Sequence, residues 1–148
     1  MGNDKLPPNR LIVKVFRLNN ALVKQKNRHM SAFNLTSIQG DVLMYILNSY
    51  KTREINQLDI QSVFKLTNPT VSGIIDRLEE KEFIKRIRSD KDARYRRLVP
   101  LPKGEVLHEQ LRFSASEAEK AIVRDMSPEE ADTFKRLLSI ALKTAEEE

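Results

Sequence analysis

The stretch Thr67–Pro100, TNPTVSGIIDRLEEKEFIKRIRSDKDARYRRLVP, decides how the rest of the chain is read. In its first half Val71, Ile74, Ile75 and Leu78 recur at helical spacing and predict one buried face. Thr67 or Asn68 caps that helix, and Pro69 is tolerated in the first turn because its missing N–H would have no intrahelical partner. The other face carries Asn68, Thr70, Ser72, Gly73, Asp76 and Arg77. Small polar side chains at a helix's leading end let that end come close to base edges. The helix ends near Lys81. Ile84–Ser89 and Tyr95–Val99 then read as two short strands of an antiparallel hairpin whose tip, Asp90–Arg94, is charged.

Charge is segregated around this stretch. Residues 81–104 hold nine Lys/Arg against three Asp/Glu, residues 1–80 eleven against seven, and residues 105–148 six against eleven. A basic segment beside an acidic tail suggests a polyanion-binding face and a separate region with another task.

On the N-terminal side, Lys65–Leu66 makes a turn plugged by Leu66, preceded by a short helix over Glu54–Phe64 with Ile60, Val63 and Phe64 inward. Ser49–Arg53 is a turn. Before it, Thr36 with Gln39 forms a capping box that opens a helix through Asn48. Ile38, Val42, Tyr45 and Ile46 lie on one side of it, Leu43 and Leu47 widen the apolar surface, and the helix is therefore central. Arg10 to about Ser31 is a long amphipathic helix with Leu11, Val15, Leu18 and Leu22 in its stripe, and Met1–Asn9, with Pro7 and Pro8, is an irregular arm.

On the C-terminal side, Leu101–Gly104 leads into a further long helix carrying Val106, Leu107, Leu111 and Phe113. Ser127-Pro128-Glu129-Glu130 restarts a last helix that packs through Phe134, Leu137, Leu138 and Ala141.

The elements sum to a mainly α fold: a winged helix-turn-helix with N- and C-terminal dimerisation helices. Residues 1–34 form the arm and first dimerisation helix, 35–100 the winged unit, and 101–148 the C-terminal dimerisation helices. The long terminal stripes exceed what a compact middle unit covers, so a second copy about a two-fold axis is the simplest solution. Folding back on the same chain's middle is the alternative.

Other classes are disfavoured. With no cysteine the chain has no disulfide, thiolate metal site or reactive thiol, and its two histidines, His29 and His108, are far apart in sequence. No Gly-rich phosphate loop or HExxH motif is present, so no enzyme and no cofactor are expected. No apolar run approaches a membrane span, no secretory leader is visible, and the expected compartment is the cytoplasm.

LTNPTVSGIIDRLEEK resembles the recognition helix of the MarR family of bacterial transcriptional regulators, and Asp92-Ala93-Arg94 resembles the Asp-x-Arg signature of that family's wing. The resemblance covers nearly the whole chain and is most specific over Leu66–Gly104. It implies a homodimer on palindromic operators, a repressor of transcription released by a small aromatic or anionic effector. It also implies that Asp92 supports the wing while Arg94 reaches the minor groove. Three positions depart from the family pattern. Glu82 stands where Gly is common, and a left-handed backbone there would cost about 1 kcal/mol. Gly73 stands where many members carry a basic residue. Pro100-Leu101-Pro102 alters the approach to the next helix.

The candidate DNA-reading group is Asn68, Thr70, Ser72 and Arg77, with Arg88, Lys91 and Arg94 from the wing and Lys85, Arg86, Arg96 and Arg97 as helpers. Asn pairs bidentately with adenine and Arg with guanine, each worth about 1–3 kcal/mol of discrimination. Asn68 is alternatively an N-cap only, Thr70 and Ser72 solvated hydroxyls, Arg77 a partner of Glu80, and Arg94 a partner of Asp90 or Asp92. For an effector, His29, Met30, Phe33 and Tyr45 are the nearest residues to a crevice beside the terminal helices, with plain core as the competing role. The competing function is a winged-helix module that docks a protein and binds no operator.

Overall fold

The computed structural model describes residues 9–148; the expected irregular arm falls, but for Asn9, outside them. Seven helices and one hairpin follow in the order α1 (Leu11–Ser31), α2 (Ser37–Ser49), α3 (Gln57–Phe64), α4 (Asn68–Glu80), β1 (Ile84–Arg88), β2 (Arg96–Pro100), α5 (Pro102–Val106), α6 (His108–Ile122) and α7 (Pro128–Glu147). They divide into two compact units, one ending at Arg112 and the other Phe113–Glu148.

In the first unit, α2 is the central element. Thr36 Oγ1 accepts from Gln39 N at 3.3 Å while Thr36 N donates to the Gln39 side chain at 3.2 Å, the capping box expected from sequence. Val42, Leu43, Ile46 and Leu47 are buried, whereas Ile38 and Tyr45 are half-buried, so the core stripe is rotated towards the 43/47 side. Against α2 pack Ile60, the α4 stripe Val71, Ile74, Ile75 and Leu78, and Phe83, Ile84 and Leu98 around the hairpin. The end of α1 is tied to α2 by a Lys26–Asp41 ion pair and by Ser37 N donating to Asn27 Oδ1 at 2.8 Å.

Three details differ from the periodicity. The third helix begins at Gln57, not Glu54: Asn56 and Asp59 form its capping box, and Glu54–Ile55 lie outside it. Ile55 is fully buried and its carbonyl accepts from Leu98 N at 2.7 Å. Val63, expected inside, is 50% exposed. The helix expected after Leu101 is broken at Leu107, because α5 is held against the start of β1. Leu101 N donates to Phe83 O at 2.9 Å, and a Cβ on Gly104 would lie 2.3 Å from that same oxygen. Leu107 N then closes a tighter bond to Gly104 O at 3.1 Å before α6 sets off.

The strands are antiparallel, with Ile84 opposite Pro100 and Arg88 opposite Arg96. Glu82, between α4 and β1, has φ 62, so the strain foreseen for a non-glycine residue there is present. In the second unit Ser127 and Glu130 complete the capping box of α7. That helix has no buried residue; Leu137, Leu138, Ile140 and Leu142 are each at least half exposed. Among the described residues no helix is long and apolar enough to cross a membrane.

Candidate nucleic-acid interface

The leading end of α4 is exposed. Thr67 is the N-cap but makes no side-chain capping bond; its hydroxyl lies 3.0 Å from that of Thr70. Asn68 is the first helical residue, and its Oδ1 accepts from Gln57 Nε2 at 2.5 Å and Gln61 Nε2 at 2.8 Å. Two glutamines at adjacent turns of α3 therefore hold the asparagine, and its amide NH2 is the group left to point outward. Ser72 is half-buried, and Gly73 is exposed with open space over its Cα. Arg77 pairs with Glu80 at 3.1 Å, but both are about two-thirds exposed, so the pair is readily exchanged for another anion.

The wing presents its cations in two groups. Arg86 is turned inward: it donates to Asp76 at 2.7 Å and Glu79 at 2.9 Å, and its backbone N donates to Glu79 at 3.0 Å. It clamps the hairpin to α4. Arg97 is half-buried and lies 3.3 Å from Asp90. By contrast, Lys85, Arg88, Lys91 and Arg96 are exposed, and none forms an ion pair among the described residues. Arg88 and Arg96 are direct cross-strand partners. Like charges placed opposite each other destabilise a hairpin, so this pair favours a bound anion.

Arg94 is 83% exposed at the tip, over the Tyr95 ring. Asp92 accepts from Arg94 N at 3.0 Å, Nε at 3.1 Å and Nη2 at 2.7 Å. Those bonds hold the Asp92 carboxyl below its ordinary range and push the Arg94 guanidinium above its own, the side-chain contact being the larger cause in each. Sequence reasoning missed the support beneath the tip. Glu54 accepts from Ser89 Oγ at 2.5 Å and Asp90 N at 3.0 Å, and its pKa is lowered first by the Ser89 bond. The residues are far apart in sequence, and neither carries a periodic signal.

The four effector candidates do not share one environment. Met30 is buried core against Gly40, and His29 is exposed. Tyr45 meets the Phe64 ring edge-on at 6.0 Å and bonds Arg53. Phe33 lines a groove with Asn34, Phe83, Lys103 and Leu107. A separate cleft of about 430 Å³, which the sequence did not suggest, gathers Asn48, Tyr50, Glu105, His108 and Arg112. There Tyr50 donates to Glu105 at 2.6 Å, which pushes its phenol pKa up. No cluster of three His, Cys, Asp or Glu suited to a metal occurs among the described residues.

Comparison with known proteins bears on this geometry. Residues 35–95 match the model of the MarR family. The chain is 28% identical over 122 residues to YwoH, an uncharacterized HTH-type transcriptional regulator of Bacillus subtilis (strain 168), covering 82% of this chain and 86% of that protein. The crystal structure of the S. aureus MepR–DNA complex superposes with a TM-score of 0.83 at 25% identity, over 93% of this chain and 99% of that one. The transcriptional regulator SlyA gives 0.81 at 20% identity, over 94% and 96%, a likeness of fold. The match to the MarR family thus spans α2 to the tip of the wing, the winged helix-turn-helix of this chain.

Proposed function

We propose that this chain is a homodimeric transcriptional regulator that binds double-stranded DNA at pseudo-palindromic operators. We propose further that it represses transcription and is released by a small aromatic or anionic effector. The observation that carries the reading is the unneutralised cationic set Lys85, Arg88, Lys91 and Arg96, with Arg94 at the tip, beside the exposed leading end of α4. In this reading α4 enters the major groove and presents Asn68, Thr70, Ser72 and Arg77. Arg88 and Lys91 neutralise phosphates, and Arg94 leaves Asp92 for the minor groove. The likeness to a protein solved with DNA supports it. Two copies set their α4 helices about one DNA turn apart, roughly 34 Å.

Selection of bound fragments from a random duplex library, followed by titration at several salt concentrations, tests the proposal. Recovered sites should be two-fold symmetric, and log affinity should fall steeply with log salt because several phosphates are neutralised. Arg94→Ala should weaken binding about tenfold or more with folding unchanged. A shallow salt dependence and no enriched sequence would instead favour a winged helix that docks a protein. Release is tested by adding small aromatic carboxylates to the bound complex; undiminished binding across that set would count against an effector.

A further inference from the structure

Glu54, Ile55 and Asn56 are consecutive, yet each acts on a different part of the winged unit. Asn56 caps α3, with Asn56 N donating to Asp59 at 2.8 Å and Asp59 N to Asn56 Oδ1 at 3.1 Å. Ile55 fills the core and pairs with the backbone of β2 through Leu98. Glu54 reaches the wing tip, one carboxylate oxygen taking the Ser89 hydroxyl and the other the Asp90 amide.

The network continues from there. Ser89 is 8% exposed, and its Oγ, while donating its hydrogen bond to Glu54, accepts from Lys91 N at 3.1 Å and Asp92 N at 3.2 Å. Asp92 in turn holds Arg94. One carboxylate thus takes both the Ser89 hydroxyl and the Asp90 amide, and with Lys91 N and Asp92 N donating to its oxygen the hydroxyl has one direction in which to donate. Arg97 and Lys91 add favourable charge around it.

We propose that Glu54 is a positioning residue that latches the wing tip to the helix-turn-helix and so fixes the direction in which Arg94 is presented. This rests on the DNA-binding reading above for its consequence, although the latch itself does not. A carboxylate is required because both of its oxygens accept at once. Glutamine keeps one acceptor and turns an NH2 towards another donor, while alanine removes both.

The test compares Glu54→Ala, Glu54→Gln and Ser89→Ala in the full chain. Amide hydrogen exchange at Lys91 and Asp92, and trypsin cleavage after Lys91 and Arg94, report the tip directly. In Glu54→Ala both should accelerate several-fold while the rest of the protein keeps its protection; Glu54→Gln should fall between that variant and wild type. Ser89→Ala, which breaks the same network from the other end, should loosen the tip in the same way. Operator affinity should drop roughly tenfold in Glu54→Ala, and adding Arg94→Ala to that variant should cost much less than it does in wild type. Wild-type exchange and cleavage at the tip would overturn the latch. A loosened tip with undiminished affinity would overturn its role in presenting Arg94. If wild-type protein binds no duplex at all, the proposed function has failed, and the exchange measurement still decides whether Glu54 holds the tip.

Discussion

Asn68 shows how a neighbour can change what a side chain is able to read. A free asparagine recognises adenine by accepting from N6 and donating to N7. Here both acceptor positions of Oδ1 are occupied by Gln57 and Gln61, so donors alone are available. Donors suit N7 and O6 of guanine or O4 of thymine, keep only the single N7 bond to adenine, and cannot engage the N4 donor of cytosine. Sites recovered by selection should therefore carry guanine or thymine under the leading end of α4. Replacing both Gln57 and Gln61 by alanine should move the preference towards adenine, read by sequencing the bound fragments. A wild-type preference for adenine there would contradict the assignment.

Among the elements, α5 is the one whose place depends most on a single missing side chain. Alanine at position 104 would gain about 1 kcal/mol of helix propensity. Its Cβ, however, would sit 2.3 Å from the Phe83 carbonyl, which already accepts from Leu101. Gly104→Ala should lose about 1–3 kcal/mol in denaturant unfolding through the forced backbone shift; stability equal to wild type would show that α5 is free to move. This close approach also marks where sequence reading stops. The capping boxes at Thr36–Gln39 and Ser127–Glu130 and the stripe Val71–Leu78 were legible because their signals lie within one or two turns. The break at Leu107 was not, since its cause is the backbone of Phe83, far back in the chain. Glu54–Ile55 lie outside α3 for the same reason: their partners, Ser89, Asp90 and Leu98, lie in the wing. Of the site, the cationic wing and the α4 surface were visible in composition and period, whereas the glutamines and the glutamate that orient them were not.

At the scale of the molecule, two helices carry apolar surface that the described residues leave uncovered. On α1, Leu11, Ile12, Val15 and Phe16 are about half exposed or more, and on α7 no residue is fully buried. Patches of this kind mark association surfaces, and a second copy is the occupant proposed. Sedimentation at micromolar concentration should give about twice the 17.1 kDa chain mass, and Leu138→Glu should shift the protein towards single chains and weaken operator binding. A wild-type particle of one chain mass would sink the paired arrangement. The facing guanidiniums of Arg88 and Arg96 carry a consequence for how such a particle responds to its medium. Added electrolyte screens their mutual repulsion and steadies the unliganded hairpin, yet the same ions compete with the DNA backbone for it. Ionic strength therefore acts with opposite sign on the two states, firming the free protein as it loosens the complex.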